Sequence, residues 1–392
     1  MVCGGSMKKK LIFIISLLFI IAITLFVKEI FNSKKYVNND LSIKKETKLL
    51  TMNLEQTAGA GDYKTVTQSS WPTEGYKFNA ELSRCENGSE LSWDDTKKAV
   101  IVSGNLSDKC YVYFDIYQPT LAEYVLSQYT GTQGDNGIYY HDSTLANGVG
   151  DNSYRYAGAN PNNYVCFGSD ATTCPDDNLY RIIGVINDKI KLIKATFATK
   201  EELGTSGAYV NTSGNLDFYS FYDLSEDNKI KAKLIDINLN TNFKNFVESI
   251  NEKWINFVEA ENFEYLYETA EFWSGYQKNN MIEIERTETT KSLFSIMQAS
   301  DYVFSSSAPY WNENILSDNS DSWLFESSSN EYINGIVTDG LSAFTPVIRQ
   351  NKAIYFSETE DPLPTRPTFY LKSNVTYKSG TGTSSDPIIL GD

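Results

Sequence analysis

The clearest indication of the fold lies in residues 179–194, which read LYRIIGVINDKIKLIK. Two runs rich in isoleucine, leucine and valine flank the dipeptide Asn187-Asp188, and a two-residue polar turn between such runs is typical of a β-hairpin. The sequence therefore predicts two antiparallel strands, Leu179–Ile186 and Lys189–Lys194, joined by a tight turn.

Downstream of this hairpin the pattern mixes helix and strand. Apolar residues recur at intervals of three and four over 240–274, which predicts a helix. Short runs of strand-forming residues return further on, at 293–297, 302–304, 323–325, 333–337, 353–356 and 367–371. This mixture predicts an α+β domain at 177–373, followed by a C-terminal tail at 374–392.

Upstream of the hairpin, strand-forming runs at 77–82, 99–102 and 111–114 are separated by turn residues. Their spacing predicts a small β-sandwich over 62–118, with Trp93 in its core. Thr120 can then cap a short helix over 121–126. The rest of 119–176 is rich in glycine and asparagine with tyrosines interleaved, and we expect it to be a packed connecting region.

The N-terminal segment carries a targeting signal. Three lysines at 8–10 precede residues 11–27, in which only Ser16 and Thr24 are polar. A helix of this length rises roughly 25 Å, the short limit for a bilayer core. The sequence therefore predicts a transmembrane signal anchor at 11–27, preceded by a cytoplasmic N-terminus at 1–10.

Several points about this segment stay open. Residues 28–61 are rich in lysine, asparagine and threonine and predict a stalk. A cleaved signal peptide is the alternative to an anchor, but no small-x-small cleavage pattern follows the apolar run. More lysines follow the run than precede it, although long domains translocate largely regardless of charge. Translation can start at Met1 or at Met7.

Composition and charge exclude some partners. The chain has 392 residues, of which 41% are hydrophobic and 14% aromatic, enough for substantial cores. Its net charge of −16 repels phosphate backbones, so nucleic acid is excluded as a partner.

Four of the five cysteines fall into two local pairs, Cys85 with Cys110 and Cys166 with Cys174. Local pairing is the simplest of the three possible connectivities, and it predicts two disulfides formed in an oxidising compartment. A zinc site is the competing interpretation. It lacks the required spacing, because there is no Cys-x-x-Cys and His141 is the only histidine.

Five short segments of the chain are distinctive, namely 93–95 (WDD), 108–115 (DKCYVYFD), 178–185 (NLYRIIGV), 299–302 (ASDY) and 366–372 (RPTFYLK). Together they resemble a family of uncharacterised surface proteins from gut-dwelling Gram-positive bacteria. Members look like proteins built from an exported anchor, an immunoglobulin-like module and a C-terminal domain related to the C-type-lectin and formylglycine-generating-enzyme folds. The resemblance covers nearly all of residues 60–392.

The resemblance implies an immunoglobulin-like module at 62–118 and a C-type-lectin-like domain at 177–373. In that fold the first strand pairs with the last, which implies that 180–186 lies beside 368–371. In lectin-like relatives the aromatic-rich segment, here beginning at Trp323, carries the ligand face.

No catalytic constellation is recognisable in the sequence. Formylglycine-generating chemistry needs reactive cysteines in the C-terminal half, and none follows Cys174. A lone histidine, His141, is far more often a packed residue than a catalytic base. The run 311–314 (WNEN) superficially echoes a calcium-dependent sugar site, but no Glu-Pro-Asn or Gln-Pro-Asp accompanies it. We therefore expect no cofactor, and calcium bound at 311–314 is the alternative.

Aromatic residues of the C-terminal half are the candidate ligand-binding residues, because flat amphipathic rings stack on sugars and anchor protein interfaces. The set, with one neighbouring amide, is Tyr302, Tyr310, Trp311, Asn312, Trp323 and Tyr332. Packing in the core is the competing role for each ring.

The sequence thus predicts a membrane-anchored, extracellular and non-enzymatic surface protein that binds a glycan or a protein ligand. Two alternatives remain open. One is an extracellular enzyme acting on polysaccharide or peptidoglycan, to which the many carboxylates would contribute. The other is a purely structural envelope protein.

Overall fold

The structure is a computed structural model. It describes residues 34–36, 50–67, 70–72, 75–210, 216–221, 232–269, 285, 288–312, 321–338, 343–359 and 361–391. The chain divides into two compact units, Met1–Gln118 and Pro119–Asp392.

The described part of the first unit is built from strands. They are β1 (Lys34–Tyr36), β2 (Leu50–Glu55), β3 (Tyr63–Val66), β4 (Tyr76–Phe78), β5 (Arg84–Cys85), β6 (Glu90–Asp94), β7 (Ala99–Ser103) and β8 (Cys110–Ile116). One sheet has the order β1-β7-β6, and the other has the order β3-β2-β8-β4 with β5 also paired to β8.

The two sheets of the first unit share one core. Met52 and Leu54 of β2 pack with Val100 of β7 and Phe114 of β8. Trp93 is half-buried at the edge of this core, with its ring 5.5 Å from that of Phe114. Residues 50–55, which the sequence assigns to the stalk, instead form β2, because their alternating apolar side chains complete the core and the strand pairs in parallel with β8.

Both predicted disulfides are confirmed. Cys85 and Cys110 join β5 to β8 in the first unit, and Cys166 and Cys174 close a short loop in the second unit.

In the second unit the described strands are β9 (Ile138–Tyr140), β10 (Tyr154–Tyr156), β11 (Tyr164–Cys166), β12 (Leu179–Ile186), β13 (Lys189–Lys194), β14 (Tyr209–Val210), β15 (Phe218–Tyr219), β16 (Val258–Glu259), β17 (Glu261–Thr269), β18 (Glu288–Ser292), β19 (Phe294–Ser295), β20 (Glu331–Tyr332), β21 (Gly335–Thr338), β22 (Ala343–Ile348), β23 (Ile354–Glu358), β24 (Thr368–Leu371), β25 (Thr376–Ser379) and β26 (Ile388–Gly391).

The described α-helices of this unit are α1 (Leu121–Ser127), α2 (Lys200–Leu203), α3 (Lys244–Ile250), α4 (Glu252–Phe257) and α5 (Ala299–Phe304). A π-helix spans Leu234–Phe243, and short 3₁₀-helices span Asp135–Gly137, Asp176–Asn178 and Ala308–Asn312. Helix α1 begins where the sequence predicts, because Thr120 and Glu123 form a capping box at its N-terminus.

The predicted hairpin is confirmed as β12 and β13, and its turn residues Asn187 and Asp188 have φ angles of 52° and 61°. Such positive angles are typical of a type I′ turn. The hairpin lies within the main sheet, whose strand order is β16-β24-β13-β12-β11-β26-β25, with β10 pairing both β12 and β9. Nearly every residue of β12 and β13 is buried, as their almost continuous apolar runs require.

Several strand predictions are wrong. The sheet does not place 180–186 beside 368–371, because β13 lies between them and pairs with β24. Residues 302–304 belong to α5, and 323–325 form a turn. The predicted connecting region at 119–176 contributes β9, β10 and β11 to the main sheet, and the predicted tail at 374–392 contributes β25 and β26.

The predicted helix over 240–274 is interrupted twice. Asn251 has an extended backbone and caps α4 with its side chain. Residues 261–269 are not helical but form β17, which pairs with β18 and β21. Pairing with distant strands therefore overrides the local helical periodicity.

The predicted fold class needs correction. Strands account for 35% and helices for 19% of the structure, so the chain is dominated by β-structure rather than balanced between helix and sheet. No helix in the described residues combines the length and apolar character that crossing a membrane requires. The structure does not support the predicted N-terminal transmembrane helix, because residues 11–27, on which it rests, lie outside the described residues.

Candidate functional site

Strand β10 separates two polar regions of the second unit. Successive side chains of a strand point to opposite faces of the sheet, so Tyr154 and Tyr156 share one face and Arg155 points to the other. The face of Arg155 holds a buried ionic cluster. The face of Tyr156 leads to an open cavity just beyond the C-terminal end of β10.

The ionic cluster is built from a row of residues across the sheet. Arg155 pairs with Gly184 of β12, which in turn pairs with Lys191 of β13. Both cations reach Asp301 of α5, with the Arg155 Nη1 3.4 Å from Oδ1 and the Lys191 Nζ 2.6 Å from Oδ2. Arg155 also pairs with Asp151 at 2.9 Å.

Gly184 keeps this row closely packed. A Cβ at this position would lie 2.2 Å from the carbonyl oxygen of Tyr154. Only glycine therefore lets β10 approach β12 so closely.

A second buried carboxylate, Glu285, completes the cluster. It accepts hydrogen bonds from the backbone N–H groups of Ala299 and Ser300 at the start of α5. Burial and, to a smaller extent, the nearby Asp301 raise the pKa of Glu285 to about 7. Burial also lowers the pKa of Lys191, although Asp301 opposes this shift.

The cluster is enclosed, since Lys191 and Glu285 have no exposed surface and Asp301 is 1% exposed. A substrate therefore has no direct access to these groups. In the described part of the chain, no group of histidine, cysteine, aspartate and glutamate side chains is arranged to hold a metal ion. We assign the cluster to the stability of the second unit.

Stability is expected to fall as the pH rises from about 4.5 to about 7. Glu285 has a pKa of about 7 in the folded chain against 4.5 in a model peptide, so the folded chain retains a proton that the unfolded chain loses in this range. The stabilisation is complete below pH 4.5 and is lost as the pH passes 7, a change of about 3 kcal/mol. Urea unfolding across this range measures it. The variant Glu285→Gln should remove this decline, and an unchanged decline in that variant would contradict the assignment.

Asp151 has the opposite effect at lower pH. Burial alone would raise its pKa, but the Arg155 guanidinium and the Ser153 hydroxyl hold that pKa at about 2. Its stabilisation is present above the ordinary value of 3.8 and is lost as the pH falls through 2. The two carboxyl groups therefore act in separate pH ranges.

The open cavity has a volume of about 410 Å³, which is within the usual range for small-molecule sites. Two tyrosines, Tyr124 of α1 and Tyr156 of β10, line it. Uncharged hydrogen-bonding side chains also line it, namely Gln128, Asn136, Asn160, Asn162, Ser307 and Thr381. Among the described residues that form its walls, none carries a charged side chain.

Tyr156 is one of the residues that line the cavity. The residue is 3% exposed, and its carbonyl oxygen accepts a hydrogen bond of 2.7 Å from the indole N–H of Trp323. Its own hydroxyl makes no hydrogen bond to any described residue, yet it is not among the atoms sealed away from solvent. Burial raises the pKa of Tyr156, which keeps the hydroxyl protonated and able to donate to a bound molecule.

Tyr124, the other tyrosine that lines the cavity, is held in place by stacking. Its ring lies parallel to that of Tyr377, with 3.7 Å between ring centroids. Burial and the Tyr377 hydroxyl raise the pKa of Tyr124 to about 12, so this phenol is also protonated at neutral pH.

Glycines let two loops close around the cavity. Gly382 has a φ of 78°, and a Cβ there would lie 2.5 Å from the carbonyl oxygen of Asn162. Gly137 has a φ of 72°, and its Cβ would lie 2.9 Å from that of Pro161. The C-terminal hairpin and the loop before β9 can therefore both pack against the segment 161–162.

The aromatic residues that the sequence singles out lie elsewhere. Tyr302, Trp311 and Tyr332 are each 1% exposed and Trp323 is 5% exposed, so all four belong to the core. Their polar atoms donate to backbone carbonyls, as the Trp311 indole does to Ser306 at 2.7 Å.

The other two predicted residues, Tyr310 and Asn312, lie in the 3₁₀-helix Ala308–Asn312. Of the predicted residues whose side chains the structure describes, namely Tyr302, Tyr310, Trp311, Trp323 and Tyr332, none lines the cavity.

Sequence reasoning missed Tyr124, Tyr156, Asn160 and Asn162 as candidate binding residues. The available signal was the glycine- and asparagine-rich tract with interleaved tyrosines. That composition indicates packed loops, but it does not indicate which loops enclose a space.

Comparisons with known proteins add no assignment. No protein-family model, no curated protein and no solved structure matches this chain.

Proposed function

We propose that this chain is an extracellular, non-enzymatic binding protein whose second unit holds a neutral saccharide in the open cavity. One observation carries the proposal. The cavity is lined by tyrosines, amides and hydroxyls and by no charged side chain of the described residues, although the chain as a whole has a net charge of −16.

The chemistry of the walls matches that of a sugar. Each ring hydroxyl of a saccharide both donates and accepts hydrogen bonds, as do the side chains of asparagine, glutamine, serine and threonine. The apolar face of a sugar ring packs against aromatic rings such as Tyr124 and Tyr156. An anionic ligand would lose its hydration without gaining a cationic partner from these walls, which disfavours carboxylates and phosphates.

Compartment and mechanism also support the proposal. The two disulfides are consistent with an extracellular protein. Hydrolysis of a glycosidic bond generally requires a pair of carboxyl groups flanking that bond. The cavity walls offer none among the described residues, and Asp301 and Glu285 are enclosed in the ionic cluster.

The test is binding of the purified protein to an array of neutral glycans and of sialylated or sulfated glycans. We expect binding to neutral glycans only. A neutral glycan that binds on the array is then titrated into the variant Tyr156→Phe. We expect the variant to bind it about 3- to 10-fold more weakly than the unmodified protein does, since one hydrogen bond is lost without a change of ring volume.

Tyr111→Phe is the matched control, because it removes a phenol hydroxyl that donates a hydrogen bond to Glu86 in the first unit. Its affinity should equal that of the unmodified protein. Binding of anionic glycans alone, absence of neutral-glycan binding, or unchanged affinity in Tyr156→Phe would contradict the proposal.

A further inference from the structure

A cluster of three tyrosines lies on the second unit, formed by Tyr129, Tyr140 and Tyr154. The rings of Tyr140 and Tyr154 stack with centroids 4.4 Å apart, and the ring of Tyr129 meets that of Tyr154 edge-on at 5.3 Å. All three residues are half-buried. The tyrosine cluster therefore retains solvent-accessible aromatic surface.

Strand register places the tyrosine cluster beside the cavity. Tyr140 and Tyr154 are direct partners across β9 and β10. Tyr154 precedes the cavity residue Tyr156 by two positions, so the two side chains share one face of β10 at a spacing of roughly 7 Å.

Residues that line the cavity are also chain neighbours of residues in, or bonded to, the tyrosine cluster. Gln128 lines the cavity, and the next residue along the chain, Tyr129, belongs to the tyrosine cluster. Gln133 bonds through its amide group to the backbone N–H and carbonyl of Tyr140, and its neighbour Gly134 lines the cavity.

The polar groups of the tyrosine cluster are compatible with a neutral ligand. The hydroxyls of Tyr129 and Tyr154 make no hydrogen bond within the described part of the chain, whereas that of Tyr140 donates to Asn152 at 3.3 Å. Burial raises the pKa of Tyr154, and Tyr140, Tyr129 and Asp142 raise it further. The phenol thus stays protonated, and the nearby Asp142 carboxylate disfavours anions.

We infer that the cavity and the tyrosine cluster are two subsites of one site, and that the ligand is a neutral oligosaccharide whose chain leaves the cavity across Tyr154 and Tyr140. This inference rests on the proposed function. Aromatic faces beside the cavity add contact area for each further sugar unit, so affinity should rise with chain length beyond what the cavity holds.

The experiment compares neutral glycans of one to six sugar units on the array and in titrations with the full chain. For the unmodified protein, we expect glycans of three or more units to bind about 10-fold more tightly than shorter ones. In Tyr140→Ala this difference should shrink about 3- to 10-fold while binding of the shortest glycans is retained. Tyr140→Phe keeps the ring and should keep the dependence on length.

Thermal unfolding of each variant verifies that it is folded, and Tyr111→Ala in the first unit is the matched control. Equal affinity for short and long glycans, or a dependence on length that Tyr140→Ala leaves unchanged, would overturn the inference while the proposed function stands. Absence of neutral-glycan binding of any length would overturn both.

Discussion

Replacing Asp301 with asparagine is expected to lower the free energy of unfolding by about 3–5 kcal/mol, because it leaves buried cations without their shared carboxylate. Lys191 has no exposed surface, and its ammonium lies 2.6 Å from Asp301. Arg155 loses the same partner and keeps Asp151 as its one ion-pair partner among the described residues. The asparagine side chain has nearly the same shape, so the effect reports charge rather than volume.

Urea unfolding of the variant measures this loss. Glu248→Gln is the matched control, because Glu248 also pairs with a lysine, Lys244, but on the surface, where 40% of its side chain is exposed. Surface pairs of this kind contribute about 0.3–0.5 kcal/mol. If Asp301→Asn cost no more than Glu248→Gln, the stabilising role of the ionic cluster would be wrong.

Replacing Glu331 with glutamine is expected to lower the free energy of unfolding by about 3–5 kcal/mol, for a related reason and independently of Asp301→Asn. The Glu331 carboxylate accepts three hydrogen bonds from the Arg366 guanidinium, two from Nε at 2.8 and 3.0 Å and one from Nη2 at 2.6 Å. Both residues are buried. Burial raises the pKa of Glu331, although Arg366 opposes the shift.

A second buried cation makes this site sensitive to the loss of the Glu331 charge. Arg181 lies between the rings of Tyr164 and Trp323, 4.4 Å from each centroid, and donates to neutral oxygens, including Asn163 Oδ1 at 2.8 Å. Burial and, to a smaller extent, the charge of Arg366 lower the pKa of Arg181 to about 10. Without Glu331, the buried Arg366 guanidinium would lose the carboxylate that pairs with it, while the like charge of Arg181 still acts on it.

Chemical unfolding of Glu331→Gln measures the loss, and a double-mutant cycle isolates its cause. The combination Glu331→Gln with Arg366→Met should cost less than the sum of the two single substitutions, since it removes one of the two cations. Strict additivity would indicate that Glu331 and Arg366 do not stabilise each other.

Local features of the second unit were predictable from the sequence. The hairpin of β12 and β13 depends on a two-residue turn between apolar runs, and the start of α1 depends on Thr120 and Glu123 three positions later. The disulfides follow from cysteines that are close in sequence. Each of these interactions involves neighbours along the chain, so each leaves a readable pattern.

The aromatic residues show where prediction from sequence stops. Trp311 and Trp323 are buried, whereas Tyr140 and Tyr154 are half-buried, yet all four lie in segments rich in polar residues. Composition does not distinguish a ring that packs inward from one that faces solvent. For a similar reason, the helical pattern predicts the helices before Phe257 but not the strand at 261–269. That strand forms by pairing with β18 and β21, which lie far along the chain.

By itself the sequence determined the central hairpin, the capped helix α1, the two disulfides and the acidic charge of the chain, because these depend on composition or on short-range contacts. Only the tertiary structure decided the cavity. Its walls come from positions as distant as Tyr124 and Thr381, and they meet because β26 pairs in parallel with β11, joining Ile388 to Val165. Such long-range pairing depends on the packing of the whole second unit, and no local pattern encodes it.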